Sequence, residues 1–246
     1  MNRRTAAAFV AVVLLAALPA AAAPGDSDEL STGWQKVAGM AALDGYLFVV
    51  EGGALYKVDK AGAHTKLASG WTATTAMAAM DGYLWIADGG ALYRVDKAGK
   101  HTKIASGWNG TCAMAAMDGT MWIVDDGTLY TVDKSGKDTE VSSGWGGTVA
   151  MTTMAGRLWI ICDSTLYSVD KAGEYGEISQ GYNDTRGMAA VGDRLWVVSG
   201  GTLWEVDAGG DYKDRGTGWG ETQGMASLDG AVYAADGAKL YRISVR

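Results

Sequence analysis

The sequence predicts an all-β fold, a six-bladed β-propeller built from 37-residue blades. An aromatic residue preceded by glycine recurs six times, and each copy lies 37 residues after the last. A fixed period of this length is typical of a repeat architecture. Residues 25–246 number 222, which is six times 37, so whole repeats fill this part of the chain. The recurring aromatics are Trp34, Trp71, Trp108, Trp145, Tyr182 and Trp219.

Each repeat predicts four antiparallel strands, here called a, b, c and d. In the repeat of Trp71, strands a and b are apolar runs joined by Asp81-Gly82, a pair typical of a tight hairpin turn because glycine adopts positive φ without steric cost. Further turn sequences separate b from c and c from d. The predicted strands of this repeat are residues 76–80, 83–87, 91–95 and 101–105.

Burial and ring closure follow from the same pattern. Strand b is apolar at successive positions, as at Leu84, Trp85 and Ile86, so both of its faces must be covered. Strand d is more polar, as expected of an outer edge. The repeats start at a strand d (residues 28–32) and end after a strand c (residues 240–244). The first strand is therefore expected to complete the last blade and close the ring.

Residues 1–23 predict a secretory signal peptide, which leaves 24–246 as a single propeller domain. Arg3-Arg4 forms a basic start, residues 6–18 are apolar and uncharged, and small residues precede the expected cleavage site. The arginine pair leaves both general and twin-arginine export open. No second apolar run is long enough to span a membrane. We expect a secreted or periplasmic monomer that does not insert into membranes.

The charge balance disfavours polyanionic partners. The full sequence has a net charge of −7, and loss of Arg3 and Arg4 makes it about −9. An acidic surface repels nucleic acid and anionic membranes. We therefore expect no nucleic-acid partner, and a glycan or a surface protein instead.

The two cysteines, Cys112 and Cys162, are not expected to form a disulfide. The predicted hairpin register places a residue four positions after the repeating aromatic opposite one seventeen positions after it. Cys112 should then face Asp125, and Cys162 should face Val149 in the next blade. A bridge would have to cross between blades, beyond the Cα separation of about 7 Å that a disulfide tolerates.

The candidate binding site lies at the end of the ring that carries the aromatic residues. There each repeat brings together the aromatic, the residue before the b–c turn and, in five repeats, a threonine. An indole face beside a carboxylate and a hydroxyl suits sugar binding, because C–H groups pack on the ring while hydroxyls donate hydrogen bonds. The threonines are Thr74, Thr111, Thr148, Thr185 and Thr222, and the acidic residues are Glu51, Asp88, Asp125 and Asp236. Cys162 and Ser199 replace the acid in two blades.

A structural interpretation of the same residues stays open. The aromatic can wedge between blades, and aspartate before glycine is an ordinary turn former. The methionine of each strand a is interpreted as inner packing, since thioethers alone suit few metals. No catalytic or metal-binding motif is present, and His64 and His101 recur in only two repeats. These observations predict a protein that is not an enzyme and needs no cofactor or metal.

The second copy of the repeat unit contains Gly70-Trp71, then Asp-Gly-Tyr-Leu-Trp-Ile (residues 81–86), then Leu-Tyr-Arg-Val-Asp (residues 92–96). This repeat unit resembles the tectonin repeat. The likeness covers residues 25–246. It implies a six-bladed lectin like the tectonins and tachylectins, which recognise microbial surface glycans. The expectation from sequence is a non-catalytic, carbohydrate-binding propeller, with a scaffold that binds a surface protein as the alternative.

Overall fold

The computed structural model describes residue 23 and residues 25–245 of the chain. All regular elements in this part are β-strands, arranged as six four-stranded antiparallel sheets. The predicted six-bladed β-propeller is confirmed. Except for Ala23, the predicted leader (residues 1–23) lies outside the described residues. No helix in the described part of the chain is long and apolar enough to cross a membrane.

Blades one to three follow the chain in the order a, b, c, d. The strands of blade one are β2 (Val37–Leu43), β3 (Tyr46–Glu51), β4 (Ala54–Val58) and β5 (His64–Ser69). Those of blade two are β6 (Thr74–Met80), β7 (Tyr83–Asp88), β8 (Gly90–Val95) and β9 (His101–Trp108). Those of blade three are β10 (Thr111–Met117), β11 (Thr120–Asp125), β12 (Thr128–Val132) and β13 (Asp138–Ser143).

Blades four and five repeat this order, and blade six takes its outer strand from the start of the chain. The strands of blade four are β14 (Thr148–Met154), β15 (Arg157–Cys162), β16 (Thr165–Val169) and β17 (Tyr175–Gln180). Those of blade five are β18 (Thr185–Val191), β19 (Arg194–Ser199), β20 (Thr202–Val206) and β21 (Tyr212–Thr217). Those of blade six are β22 (Thr222–Leu228), β23 (Ala231–Asp236), β24 (Lys239–Ile243) and β1 (Ser27–Thr32).

Ring closure occurs as predicted. β1 pairs antiparallel with β24, from Ser27 opposite Ile243 to Thr32 opposite Lys239. The first described strand therefore supplies strand d of the last blade, and no blade is left with three strands.

The turns use the residues that the sequence pattern indicated. At the a–b turn of blade two, Asp81 and Gly82 have φ of 52° and 78°, the left-handed pair that a tight hairpin requires. At the c–d turn of the same blade, Oδ1 of Asp96 accepts hydrogen bonds from the backbone N–H groups of Ala98 and Lys100, each at 2.9 Å. An aspartate closes the equivalent turn in blades one, three, four and five.

The core lies between neighbouring blades. Phe48 and Leu55 of blade one pack in one cluster with Leu84 and Ile86 of blade two. The aromatic in the middle of each strand b is at most 3% exposed, as expected of a strand that is covered on both faces. These residues are Phe48, Trp85, Trp122, Trp159, Trp196 and Tyr233.

The predicted a–b register is wrong by one residue at the start of strand a. Thr111, not Cys112, faces Asp125, and the ladder shifts between Thr111 and Ala113. The equivalent shift in blade four places Thr148, not Val149, opposite Cys162. A β-bulge is the cause: one extra residue is inserted into strand a, so counting back from the turn without it stops one residue short. Both cysteines are free thiols, with Cys112 exposed at the bulge and Cys162 buried.

Candidate functional site

The repeating aromatics lie at the end of the ring where the d–a connections meet the b–c turns. All six are buried, with exposed fractions of 3–7%. The structure therefore favours the wedge interpretation, and the expected open stacking platform is wrong. These buried aromatics are Trp34, Trp71, Trp108, Trp145, Tyr182 and Trp219.

Each tryptophan wedge packs edge-on against the aromatic of strand c in its blade. Trp71 meets Tyr93 with ring centroids 5.4 Å apart at 89°, and His101 closes a triad at 5.2 Å from Trp71. Edge-to-face contacts of this kind add about 0.5–1.5 kcal/mol beyond area burial. His64 makes the same contacts in blade one, so both histidines have an explanation as exposed packing residues.

The predicted threonine and acidic residues do come together, but they bond to each other. Thr111 Oγ1 donates to Oδ1 of Asp125 at 2.7 Å, and burial raises the pKa of that carboxyl. The same bond links Thr74 to Asp88 at 2.9 Å. In blade six it links Thr222 to Asp236 at 2.8 Å. The pair ties the start of strand a to the end of strand b, so its main role here is structural.

The remaining blades lack this pair. Glu51 faces Val37 in blade one, where no threonine is available. Thr148 faces Cys162, whose thiol pKa burial raises. Thr185 Oγ1 turns back to donate to the carbonyl of Tyr182 at 2.9 Å. The six copies of the predicted site are therefore unequal.

The buried indole N–H of Trp71 lacks the hydrogen-bond partner that Trp34 and Trp145 have. Trp34 Nε1 donates to Ser31 Oγ and Trp145 Nε1 to Ser142 Oγ, each at 2.9 Å and three residues back. Trp71 has Ala68 at that place, and its buried Nε1 has no partner. A buried N–H without a hydrogen-bond partner destabilises the folded state, because burial removes the hydrogen bond that the group makes to water in the unfolded chain.

We expect Ala68→Ser to raise the free energy of unfolding by about 0.5–1.5 kcal/mol, since the new hydroxyl would accept from Trp71 Nε1. Urea denaturation followed by tryptophan fluorescence measures the change. Ser142→Ala, in strand d of blade three, removes the equivalent acceptor from Trp145 and should lower stability by a similar amount. A neutral or destabilising Ala68→Ser would contradict this explanation.

Blade five differs from the others at two coupled positions. Tyr182 stands where the other five blades have tryptophan, and Trp204 stands where they have tyrosine. The Tyr182 hydroxyl lies 3.0 Å from Ser179 Oγ, and burial raises its pKa above the ordinary value. A cavity of about 310 Å³ lies beside Tyr182 and Trp204. Its lining residues are Gln180, Gly181, Tyr182, Asn183, Ser199, Gly200, Thr202, Trp204 and Tyr212.

Blades four and six have cavities at the equivalent place. The one in blade four measures about 110 Å³ and is lined by Trp145 and Tyr175 among others. The one in blade six measures about 260 Å³ and includes Trp219 and Asp236. The fifth-blade cavity is larger than both.

The interfaces of blade five also differ. Four other interfaces carry an ion pair between a c–d turn lysine and an a–b turn aspartate of the preceding blade, such as Lys134 and Asp81 at 2.8 Å. At the interface of blades four and five, Ala208 and Ala155 replace this pair. At the next interface Gly192 stands at the aspartate position. Blade five thus departs from the repeat in its wedge, its strand c and its boundaries.

Within blade five, one carboxylate is paired with two arginine side chains. Glu205 has a side chain only 14% exposed and accepts from Arg215 Nε at 2.7 Å. Arg194 Nε lies 3.4 Å from the same carboxylate. This network links strands b, c and d of the blade.

Sequence reasoning named Tyr182 but missed the rest of this cavity. Gln180, Asn183, Trp204 and Tyr212 were not among the candidates. The available signal was the paired departure of Tyr182 and Trp204 within one blade. Among residues 25–245 no group of three or more His, Cys, Asp or Glu side chains is arranged to hold a metal ion.

The fold places the chain among the six-bladed β-propellers, and the solved structures that it resembles carry that fold. A streptogramin B lyase matches with a TM-score of 0.68 and 13% identity, over 90% of this chain and 98% of the lyase. The virginiamycin B lyase from Staphylococcus aureus matches with a TM-score of 0.65 and 13% identity, over 90% and 99%. A gluconolactonase from Xanthomonas campestris matches with a TM-score of 0.73 and 14% identity, over 89% of each chain. No protein-family model and no curated protein matches the sequence.

These neighbours correct the expectation from sequence. The resemblance to tectonins holds for the six-bladed fold, but the neighbours are lyase- and gluconolactonase-like rather than tectonin- or tachylectin-specific. The predictions of a non-catalytic lectin, of a protein-binding scaffold as its alternative, and of a protein that is not an enzyme are overturned by the same finding. At this level of identity the likeness establishes the fold, and any activity must be argued from the site.

Proposed function

We propose that the protein is a hydrolase that opens a small lactone ring in the fifth-blade cavity. The observation that carries the proposal is the cavity of about 310 Å³ at the place where Tyr182 stands instead of the tryptophan wedge. Ligand pockets usually measure roughly 300–1,000 Å³ and combine apolar walls with a few polar groups. Support also comes from the gluconolactonase whose fold the chain shares.

The walls suit a compact, uncharged ring. Trp204 and Tyr212 meet edge-on with centroids 5.3 Å apart and supply apolar surface. Gln180, Asn183 and Thr202 supply neutral polar groups, and no carboxylate, imidazole or ammonium lines the cavity. A charged substrate would be desolvated there without a counter-charge, so a neutral one is favoured.

The Tyr182 hydroxyl is the group that can promote the reaction. An ordinary tyrosine is already protonated at neutral pH, and burial raises the pKa of this phenol further. Ser179 Oγ at 3.0 Å can donate to the phenol oxygen, which leaves the phenol proton free to bond to a substrate carbonyl oxygen. Water then adds to the carbonyl carbon, the ring C–O bond breaks, and the water proton passes to the released alkoxide, giving one hydroxy acid. Tyr182 stabilises the negative charge that develops on the carbonyl oxygen.

Tyr182→Phe is expected to lower kcat for lactone hydrolysis by about 10²-fold, the usual loss when one oxyanion donor is removed. KM should change little, because the ring walls are retained. A pH-stat assay over a panel of five- and six-membered lactones measures both constants. Turnover of no lactone by the wild-type protein, or an unchanged kcat in Tyr182→Phe, would overturn the proposal.

Two controls separate the site from general effects. Tyr167→Phe removes a phenol from strand c of blade four and should leave kcat unchanged. Tyr182→Trp restores the residue of the other blades and should abolish activity while the fold persists. The wild-type rate should stay level through neutral pH and fall only as pH rises past the ordinary tyrosine pKa of about 10, since only the protonated phenol donates.

A further inference from the structure

The cavity in blade six lies apart from the fifth-blade cavity and shares no lining residue with it. This sixth-blade cavity measures about 260 Å³. Trp219 and Tyr241 line it and meet edge-on, with ring centroids 5.4 Å apart at 76°. Ser27, Arg215 and Asp236 also contribute to its wall. Because ligand pockets usually measure roughly 300–1,000 Å³, this one suits a small molecule.

In three other blades a third ring packs against the wedge and the aromatic of strand c. In blade two this ring is His101, with its centroid 5.2 Å from that of Trp71 and 5.7 Å from that of Tyr93. His64 in blade one and Tyr175 in blade four make the same two contacts. A planar side chain therefore occupies the place beside the aromatic pair in these blades.

Blade six has a serine at this position of strand d. Ser27 faces Ile243 of β24 as His101 faces Val95 of β8, so the two positions are equivalent in register. Ser27 has no ring, and it lines the cavity together with the aromatic pair. The sixth-blade cavity is thus bordered by the three positions whose rings touch in blade two, and a ligand ring can take the third place. The residues at this position of strand d are His64, His101, Asp138, Tyr175, Tyr212 and Ser27.

The charge of the wall favours a cation. Oδ1 of Asp236 accepts from Thr222 Oγ1 at 2.8 Å and from the backbone N–H of Glu221 at 3.1 Å, while Oδ2 accepts a hydrogen bond from no described residue. Arg215 is the other charged residue of the wall, and its Nε already donates to Glu205 at 2.7 Å. The carboxylate of Asp236 is therefore the uncompensated charge of the cavity.

We propose that the sixth-blade cavity binds a small, flat organic cation, namely a protonated N-heterocycle of the imidazolium kind. Its ring packs against Trp219 and Tyr241 as the imidazole of His101 packs in blade two, and its N–H donates to the carboxylate of Asp236. A charge-assisted hydrogen bond and the attraction of a cation to aromatic rings both favour a charged ring over a neutral one. The two cavities share no residue, so this site does not depend on the proposed hydrolase activity.

Titration of the untagged, full-length wild-type protein with imidazole should show saturable binding of one molecule per chain. Imidazole side chains titrate at about pH 6.5, so a titration at about pH 5.5 presents the probe as a cation. Thiazole is a neutral ring of similar size and should bind at least about tenfold more weakly, because hydrogen bonds to charged groups contribute more than neutral ones. With ¹⁵N-labelled tryptophan, imidazole should shift the indole signal of Trp219 and leave that of Trp71 in place.

Variants of the wall test the two groups that the proposal needs. Ser27→His places the ring of blades one and two in the cavity and should abolish binding, whereas Ser27→Ala keeps the space and should bind imidazole as the wild type does. Asp236→Asn retains an oxygen for Thr222 and should lower the affinity at least about tenfold. The matched change Asp88→Asn removes the equivalent carboxylate of blade two and should leave the affinity unchanged.

Absence of saturable imidazole binding in the wild type, equal affinity for thiazole, or full affinity in Ser27→His would overturn the proposal. An equal loss of affinity in Asp88→Asn and Asp236→Asn would do the same. The comparison of imidazole with thiazole uses the unmodified sequence, which covers the case in which a variant does not fold. Shifts spread over all indole signals would also refute a site in blade six.

Discussion

Trp145→Ala is expected to lower the free energy of unfolding by about 3–5 kcal/mol, the range for truncating a buried tryptophan. Trp145 is 3% exposed and packs edge-on against Tyr167 and Tyr175, with centroids 5.5 and 5.2 Å away. Its Nε1 also donates to Ser142 Oγ at 2.9 Å. The alanine variant loses this burial, both ring contacts and the hydrogen bond, and leaves a cavity between blades three and four.

The matched control for this variant is Val149→Ala. Val149 is an apolar residue of the same blade that is 53% exposed at the bulge of strand a. Its truncation should change stability by no more than about 0.5 kcal/mol. Urea denaturation followed by far-ultraviolet circular dichroism measures both variants without relying on the removed indole. A loss below about 1 kcal/mol for Trp145→Ala would contradict the wedge role.

Deleting residues 25–33 is expected to cost on the order of 5 kcal/mol and to make the protein associate. β1 pairs with β24 at five positions, and each backbone hydrogen bond contributes about 1 kcal/mol net. Leu30 also packs against the core cluster that joins blades six and one. Without β1, β24 becomes an open edge strand, which is a template for pairing with another chain.

A rescue variant tests whether the missing strand, rather than chain length, is the cause. β1 can be appended after Ile243 through a five-residue turn copied from residues 96–100, which gives blade six the a–b–c–d order of the others. This rearranged chain should recover the wild-type denaturation midpoint and elute as the wild type does on gel filtration. Deletion of residues 1–22, which leaves β1 whole, should change neither the denaturation midpoint nor the gel-filtration elution volume. Persistent instability of the rearranged chain would argue against ring closure as the main contribution of β1.

The candidate site was only partly predictable from sequence. Thr111 and Asp125 were named as members of one site, and they do meet, at 2.7 Å. Their neighbour Cys112 was assigned the wrong partner because a β-bulge leaves no sequence mark in this strand. Trp204 and Tyr212 were missed because they matter only as walls of the cavity that they line together with Tyr182. Tyr182 lies in the connection that precedes strand a, and the sequence does not show that these three residues meet.

The 37-residue period, the Asp-Gly turns and the chain ends were enough to predict six blades and their closure by β1, because these features are local and repeat along the chain. Whether the glycine-flanked aromatics are buried was decided only in the tertiary structure. The burial of Trp71 depends on Tyr93 and His101 from two other strands, and a sequence period does not report how those rings fill space. The same holds for blade five: the sequence shows that Tyr182 differs, and only the packing shows which residues line the cavity beside it.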